Sequence, residues 1–249
     1  MYYSDSTDEW KSIHLEDLWV YHKLILNHRL GHLCGPTGCS VPYSGNYIVR
    51  PCINLLGMGR FSRIEWIDAS TDHLHPAEFW CEIFEGRHLS VDFHHQKSEL
   101  VVLGERDNHD PLYKWKKWTK IEEDIDFPEI LHKLKGNYEW INCEFIGNHL
   151  IEVHFRRNPD FRFQNSVAIP VWNDQNIEKV QNLTFVEDQD YLRKGFYIDI
   201  RDSNPVKSSD FNESGAKNGK QREKNVERDC EWQSNSKKTW FFIAKRVTC

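Results

Sequence analysis

The chain has 249 residues, with 32 lysines and arginines against 38 aspartates and glutamates, and a formal net charge of −6. Aromatic residues make up 13% of it, which excludes a wholly disordered protein, because such chains lack the apolar groups that offset the entropy of ordering. The acidic balance argues against a simple nucleic-acid-binding protein, for which a basic footprint is expected. The apolar runs are a few residues long, far short of the roughly 20 that span a bilayer.

The cellular location is predicted from the amino terminus and the cysteines. Residues 1–10 are polar and acidic, and they lack the basic start and apolar stretch of a signal peptide. The seven cysteines are scattered and contain no Cys-x-x-Cys pair, which favours buried, reduced thiols. We therefore expect a cytoplasmic protein, in the cytoplasm of the host if its source is a virus.

The first predicted elements are a helix, a strand and a glycine loop. Residues 15–30 have apolar side chains near helical spacing, and Gly31 follows them as a stop signal. A strand is predicted over 47–53, where a proline favours an edge or a strand end. The loop Asn-Leu-Leu-Gly-Met-Gly-Arg at 54–60 comes next. Its glycines would let backbone N–H groups approach phosphate oxygens, although an ordinary turn is the alternative.

A hairpin is predicted in the middle of the chain. Two strand-like segments, 78–84 and 87–93, flank the turn signal Glu85-Gly86. A further strand is predicted over 99–104, and a helix over 126–135, with Pro128 near its first turn.

A second hairpin brings two carboxylates together. Gly147-Asn148 joins strands predicted over 138–146 and 149–155, so that Glu144 lies diagonally near Glu152. A single bulge would place both carboxylates on one face of the sheet, and His154 shares the face of Glu152. Magnesium prefers carboxylate oxygens and takes its other ligands from phosphates. The pattern predicts a Mg²⁺ site, and a solvated sheet face is the alternative.

The remaining segments differ in composition. The run of Trp and Lys at 113–120 is expected to be a solvated, partly packed loop or helix face. Residues 203–238 are rich in Ser, Asn, Lys, Glu and Gly, and they are predicted to be a flexible polar insertion. Residues 239–249 are then expected to return as a terminal strand that pairs with the strand-like segment 195–200.

The order of these pieces, over roughly residues 15–160, resembles that of an ATP-grasp domain. Val49-Arg50-Pro51 resembles the Val-Lys-Pro strand of that family. The sequence FWCEIFEGRHLSVD at 79–92 resembles its hinge, in which a Glu-rich strand leads into Glu-Gly and a second strand. The sequence LIEVHFRR at 150–157 resembles its closing metal motif, with Glu, Asn and Arg at alternate positions.

The resemblance implies an α+β fold with two lobes and a nucleotide cleft between antiparallel sheets. Residues 1–78 would form the amino-terminal lobe, and 79–202 the carboxy-terminal lobe with the hinge and the metal motif. The implied activity is that of an ATP- and Mg²⁺-dependent ligase, which joins a small anionic or carboxylate substrate to an amine through an acyl phosphate.

The resemblance also implies roles for individual residues. The residues that would contact adenine are Trp80, Glu82, Ile83 and Phe84, and Glu85 or His88 would lie near the ribose. The residues that would contact phosphates are Lys23, Arg50, Gly57, Gly59 and Arg60. The implied Mg²⁺ ligands are Glu144, Glu152 and His154. The implied catalytic residues are Arg50 and Arg156, with Arg156 facing the γ-phosphate or a substrate carboxylate.

Three departures from the family pattern suggest alternatives. Arg50 replaces the usual lysine, His154 replaces an asparagine, and His88 stands where the family often has an acid. The changes at Arg50 and His154 motivate a second hypothesis, a non-catalytic binding or interaction protein that retains the fold. A third hypothesis is a single-stranded nucleic-acid binder that uses the run from Tyr113 to Lys120.

Overall fold

The chain forms two antiparallel sheets and a few short helices, as a computed structural model describes for residues 11–53, 59–107, 110–188 and 192–199. This confirms the predicted α+β class. The predicted insertion 203–238, the predicted terminal strand 239–249 and Gly57 lie outside the described residues.

The helix predicted over 15–30 is divided into two. A 3-10 helix covers Leu15–Val20, and α1 covers Lys23–Arg29. Between them His22 is extended, and its Nδ1 accepts a hydrogen bond from the backbone N–H of Ile25 at 3.4 Å, which caps α1. The division places Lys23 in the first turn of a new helix. Gly31 follows the helix with a φ of 78°, as its predicted stop role requires.

The smaller sheet has four strands, which are β1 Cys34–Pro36, β2 Gly45–Pro51, β3 Arg63–Ile67 and β4 Glu78–Cys81. Their order across the sheet is β1-β4-β2-β3. The strand predicted over 47–53 is confirmed as β2, which ends at its proline. One face of the sheet packs an apolar core that includes Tyr47, Val49 and Trp80.

The larger sheet has eight strands, which are β5 His88–His94, β6 Lys97–Arg106, β7 Trp115–Ile121, β8 Trp140–Ile146, β9 His149–His154, β10 Val167–Trp172, β11 Thr184–Glu187 and β12 Arg193–Ile198. Their order across the sheet is β11-β12-β10-β7-β6-β5-β8-β9. The strand predicted over 99–104 is part of the longer β6, and the helix predicted over 126–135 is a shorter 3-10 helix, Glu129–Lys133.

The prediction of a hairpin over 78–93 is wrong. β4 pairs with β1 and β2 in the smaller sheet, whereas β5 pairs with β6 and β8 in the larger one. The six residues 82–87, which we name the crossover, carry the chain between the sheets. After β4 the backbone N–H of Glu82 donates to the carbonyl of Leu33 at 2.9 Å, so the chain stays paired to the segment before β1 and does not fold back.

The hairpin predicted over 138–155 is confirmed as β8 and β9. Glu144 and Glu152 are direct partners across it, and the register shifts between Glu144 and Phe145. This is the single bulge that the sequence required to bring the two carboxylates to one face.

The run 113–120 is also different from the prediction, because most of it belongs to β7, a central strand between β6 and β10. Trp118 is buried in a core with Val102 and Phe196, and burial of this ring favours a strand over a solvated loop. The segment predicted over 195–200 is largely β12, and it pairs with β10 and β11. No helix in the described part of the chain is long and apolar enough to cross a membrane.

The two faces of β5, β8 and β9 have opposite character. One face, with Val91, Cys143 and Val153, packs a core that also contains Leu26 of α1. Because side chains alternate along a strand, the opposite face carries the polar residues. We name it the polar face, and its members are His88, Ser90, Asp92, Asn142, Glu144, Glu152 and His154.

Candidate functional site

Three basic side chains from three elements converge on the carboxylate of Glu152. Nζ of Lys23 in α1 lies 2.7 Å from Oε2, and Nη2 of Arg50 in β2 lies 3.7 Å from the same oxygen. Nε2 of His154, the neighbour of Glu152 in β9, lies 3.1 Å from Oε1. We name these four residues the Glu152 cluster, and all four are buried.

Arg50 also connects the two sheets. It belongs to the smaller sheet, and its Nη2 donates to the carbonyl of Ile151 at 2.9 Å, in the edge strand β9 of the larger sheet. An edge strand has outward-facing carbonyls without a neighbouring strand, and this bond satisfies one of them. Nε of Arg50 is buried without a hydrogen-bond partner among the described residues. A buried donor in this state is a position where an acceptor atom of a ligand would bind favourably.

Burial and the neighbouring opposite charges shift the pKa values of Glu152 and Lys23 in opposite directions. Burial would raise the pKa of Glu152, but Lys23, His154 and Arg50 hold that pKa well below its usual range. Burial lowers the pKa of Lys23, Glu152 opposes this change, and Arg50 adds to it. Glu152 is therefore an anion that holds two buried cations in place, which is the arrangement that makes its removal costly.

The second carboxylate, Glu144, is half-buried beside the cluster. Nε2 of His88 lies 3.2 Å from its Oε2. The ring of His88 meets the ring of Trp115 edge-on, with 4.4 Å between the centroids. Gly104 makes room for this packing, because a Cβ there would lie 2.7 Å from the Trp115 ring. His88 is thus directed at Glu144 by the aromatic packing behind it.

The polar face continues into a network that sequence reasoning missed. Oδ1 of Asp92 accepts hydrogen bonds from Nδ2 of Asn142 at 2.9 Å and from the backbone N–H of Asn158 at 2.8 Å. Oγ of Ser90 accepts from the side-chain amides of Asn142, at 2.8 Å, and Asn158, at 3.2 Å. The alternation of polar residues at 88, 90 and 92 with apolar ones was the signal that could have revealed this face.

The ionisation of Asp92 is expected to make the stability of the protein depend on pH. Burial raises its pKa to about 6, although the hydrogen bonds from Asn158 and Asn142 oppose this change. Because the pKa is higher in the folded than in the unfolded chain, Asp92 contributes stability below about pH 4, and that contribution is lost as the pH rises through 6. The loss is of order 3 kcal/mol for a shift of about two pKa units.

The test compares the wild type with Asp92→Asn by urea denaturation at pH 4, 5, 6 and 7. We expect the free energy of unfolding of the wild type to fall relative to that of the variant as the pH rises from 4 to 7. The difference cancels the titration of the other acids, which both proteins share. A difference that does not change with pH would contradict the assignment.

The residues predicted to contact adenine are spread over different environments. Trp80 is buried in the core of the smaller sheet, and its Nε1 donates to the carbonyl of Cys39 at 3.0 Å. Oε1 of Glu82 accepts from the backbone N–H of Leu33 at 2.7 Å. Phe84 stacks on His149, with 4.1 Å between the ring centroids and 12° between the planes. Ile83 and Glu85 are exposed.

The residues predicted to contact phosphates are only partly brought together. Lys23 and Arg50 meet at Glu152, whereas Gly59 and Arg60 follow the undescribed residues 54–58. Gly59 has a φ of 61°, and the guanidinium of Arg60 lies 4.8 Å from the centroid of the Phe61 ring. Arg60 also lines an open groove of about 660 Å³.

Arg156 lies after the end of β9, close to the acids of the polar face. Its Nη1 donates to the carbonyl of Arg157 at 3.2 Å, and it interacts electrostatically with Asp92 and Asp160. Of the fifteen residues predicted for the site, the structure therefore groups six: Lys23, Arg50, His88, Glu144, Glu152 and His154.

The acids present fit one kind of metal site. No group of three His, Cys, Asp or Glu residues that could hold a metal ion occurs among the residues that the structure describes. Glu144 and Glu152 are nevertheless neighbouring carboxylates. Mg²⁺ is usually bound through one or two protein carboxylates, with substrate phosphates and water as the other ligands. The pair therefore fits a magnesium ion that arrives with a phosphate ligand, and it does not fit one held by the protein alone.

Comparisons with known proteins were made by sequence and by structure. No protein-family model matches the chain, and no curated protein matches it. One similar solved structure is that of a protein from Archaeoglobus fulgidus assigned to the ATP-grasp superfamily, with a TM-score of 0.44, 14% identity, and coverage of 72% of this chain and 64% of that one. Another is the ATP-grasp ligase PsnB in complex with a minimal precursor, with a TM-score of 0.33, 12% identity, and coverage of 56% and 52%.

The chain thus spans less than two thirds of the length of either structure.

Proposed function

We propose that the chain is an ATP-dependent ligase of the ATP-grasp type, which activates a carboxylate as an acyl phosphate for attack by an amine. The observation that carries this proposal is the Glu152 cluster beside Glu144. It combines two buried cations with two neighbouring carboxylates where the two sheets meet. Phosphoryl transfer needs this combination, because catalysis there consists mainly of positioning and of neutralising the charge on the phosphate oxygens.

Lys23 and Arg50 are the phosphate-binding groups in this proposal. Both are paired with Glu152, and Nε of Arg50 offers a further donor. A polyphosphate competes with Glu152 for these cations and presents more oxygen acceptors than one carboxylate does. When Lys23 and Arg50 bind it, the oxygens of Glu152 become available to a metal ion.

The acids of the site have a complementary role. Mg²⁺ carried in with the nucleotide would be held by Glu144 and Glu152 and would neutralise charge on the phosphoryl group. His88 orients Glu144 through their contact at 3.2 Å. Arg156, which lies near Asp92, is the residue that we assign to the substrate carboxylate, since a guanidinium matches a carboxylate in geometry and charge.

Arg50→Met tests the binding of the nucleotide. We expect ATP with Mg²⁺ to bind the variant roughly 10- to 100-fold more weakly, because a hydrogen bond to a charged group contributes about 1.5–3 kcal/mol. Isothermal titration calorimetry measures the dissociation constants of both proteins. Arg63→Met is the matched control, since Arg63 lies in the same sheet and pairs with Glu78 at 2.6 Å, outside the cluster. Absence of ATP binding to the wild type at millimolar concentration would refute the proposed function.

A second candidate function is a binding protein without catalysis, and the closed state of the cluster favours it. Lys23 already occupies Oε2 of Glu152, and His154 approaches Oε1. If this arrangement persists with a ligand present, an anion binds but the metal does not. The two candidates differ in one measurement, because the binding protein would bind ATP with an affinity independent of Mg²⁺ and would release no phosphate.

The nucleic-acid hypothesis receives no support from the described residues. Trp118 is buried, and Trp115 packs against His88 and Trp118, so these rings do not offer open faces on which bases stack.

A further inference from the structure

Two cysteines face each other across the first strand pair of the smaller sheet. Cys34 in β1 and Cys81 in β4 are direct partners in the antiparallel register. Cys34 is half-buried, Cys81 is buried, and both are free thiols. They lie 47 residues apart in sequence, so their meeting is a product of the fold and not of local spacing.

The hydrogen bonds around this pair define its geometry. The backbone N–H of Glu82 donates to the carbonyl of Leu33 at 2.9 Å, and that of Thr37 donates to the carbonyl of Glu78 at 3.4 Å. Hydrogen-bonded and non-hydrogen-bonded pairs alternate along an antiparallel ladder, so Cys34 and Cys81 form a non-hydrogen-bonded pair. In such pairs the Cα atoms are about 4.5 Å apart and the side chains are closest. This spacing lies within the range of about 4.4–6.8 Å that disulfides span.

We infer that Cys34 and Cys81 form a redox-active dithiol, a modification site that closes to a disulfide by exchange with a low-molecular-weight disulfide such as oxidised glutathione. The thiolate of Cys34, the more exposed residue, attacks one sulfur of the external disulfide and releases one thiol. The thiolate of Cys81 then attacks the Cys34 sulfur of the mixed disulfide, releases the second thiol and closes the bond. The protein loses two electrons and two protons, and the external disulfide is reduced to two thiols.

The surroundings of the pair connect its oxidation to the functional site. The S–H of Cys81 donates to Oδ1 of Asn27 at 3.6 Å. Nδ2 of Asn27 donates in turn to the carbonyl of Lys23 at 2.8 Å, and Cys81 is the last residue before the crossover. Closing the disulfide removes this donor from Asn27 and bonds β1 covalently to the strand that leads into the crossover.

The chemistry of the thiols determines how the test is designed. Burial raises the pKa of Cys34 to about 11 and that of Cys81 to about 12. Both thiols are therefore protonated at neutral pH, and exchange is slow, because the thiolate is the attacking species. The state reached at equilibrium is the appropriate measurement, and the initial rate is not.

The experiment equilibrates the full chain, without oxygen, in glutathione buffers from fully reduced to fully oxidised. The samples are quenched with acid, unfolded, alkylated and digested for mass spectrometry. We expect a peptide that links Cys34 to Cys81, and at least a tenfold fall in the alkylation of both residues between the two extremes. The link is measured in the wild type, so the result does not depend on whether a variant folds.

Three variants test the assignment of each sulfur. Cys81→Ser is expected to retain one glutathione on Cys34, because the resolving thiol is absent. Cys34→Ser is expected to form no link to Cys81. Cys52→Ser is the control, since Cys52 is a buried thiol of the same apolar cluster, and the variant is expected to form the Cys34–Cys81 link as the wild type does. Absence of the link in the wild type, or a link from either residue to any other cysteine, would overturn the inference. The inference does not depend on whether the protein binds a nucleotide.

Discussion

Glu152→Gln is expected to lower ATP-dependent turnover strongly and to lower the free energy of unfolding by about 3–5 kcal/mol, the usual cost of removing one partner of a buried ion pair. Glutamine has nearly the same shape as glutamate, so the variant changes the charge and leaves the packing intact. Lys23 and Arg50 then remain buried without the anion that both contact. Turnover falls at least about 100-fold, the magnitude typical of losing one preorganised electrostatic group. Phosphate release and urea denaturation measure the two effects.

Glu144→Gln is the matched control for the effect on stability, because it removes the charge of the other carboxylate of the pair. Glu144 is half-buried and faces only His88 among the ion pairs of the described residues. Pairs in this setting contribute little, so we expect a change in stability of less than about 1 kcal/mol. Turnover is expected to fall as it does in Glu152→Gln, since both carboxylates hold the metal ion in the proposed function.

A double variant separates lost charge pairing from a general defect. Lys23→Met combined with Glu152→Gln removes the stranded cation, and replacing a buried ion pair by apolar groups is often neutral or stabilising. We expect the double variant to be more stable than Glu152→Gln alone. If Glu152→Gln has the stability of the wild type, the description of the cluster as a buried ion pair is wrong.

The hairpin that carries the carboxylates was predictable because its determinants are local. Gly147-Asn148 identifies the turn, and alternating side chains define the two faces on either side of it. Counting residues back from the turn then brings Glu144 to the neighbourhood of Glu152. The count leaves the two carboxylates one position out of register, and the bulge between Glu144 and Phe145 makes them direct partners.

The crossover was not predictable in this way, because its determinants are distant in sequence. Glu85-Gly86 predicts a turn, but the chain only bends at Gly86, and the strands on either side of it belong to different sheets. The contact that decides the pairing is the one between Glu82 and Leu33, which lie 49 residues apart. A local pattern predicts a turn, but only the tertiary partners of a strand determine what it pairs with.

Only part of the site was predictable from the sequence, because its other members are brought in by contacts that no local pattern shows. Lys23 enters the Glu152 cluster because the helix breaks at His22, and the capping bond that reveals this break involves a histidine, a residue type that predicts no cap. Asn158 joins the polar face through its backbone as well as its side chain. Backbone contacts of this kind do not depend on the type of residue, so the sequence does not predict them.

Gly86→Ala is the second variant with a large expected effect, because a methyl group has no space at this position. Gly86 in the crossover has a φ of 126°, a conformation that side chains rarely adopt, and its added Cβ would lie 2.7 Å from Cα of Gly147. The strain costs about 1–3 kcal/mol. The clash is with backbone and cannot be relieved by a rotamer change, so we expect a total loss of about 3–4 kcal/mol in the free energy of unfolding, at the upper end of single substitutions.

Two other glycines separate the strain from the clash in the same urea denaturation experiment. Gly31→Ala has a positive φ of 78° but meets nothing within 4 Å, so it reports strain alone, about 1 kcal/mol. Gly45→Ala has only ordinary contacts near 4 Å, and we expect a change of less than about 0.5 kcal/mol. If Gly86→Ala is no more destabilising than Gly31→Ala, the close approach to Gly147 is not present in solution.

The contact between Gly86 and Gly147 lies next to the strands that carry the proposed site. Gly147 is in the turn between β8 and β9, and its backbone N–H donates to the carbonyl of Arg87 at 2.8 Å. The crossover and the turn therefore pack through two glycines, without side chains between them. A methyl group at Gly86 must displace the turn, and the turn leads directly into the strands of Glu144 and Glu152. We therefore expect Gly86→Ala to weaken Mg²⁺-dependent ATP binding under conditions where the variant is still folded, whereas Gly31→Ala, although strained, leaves that affinity unchanged.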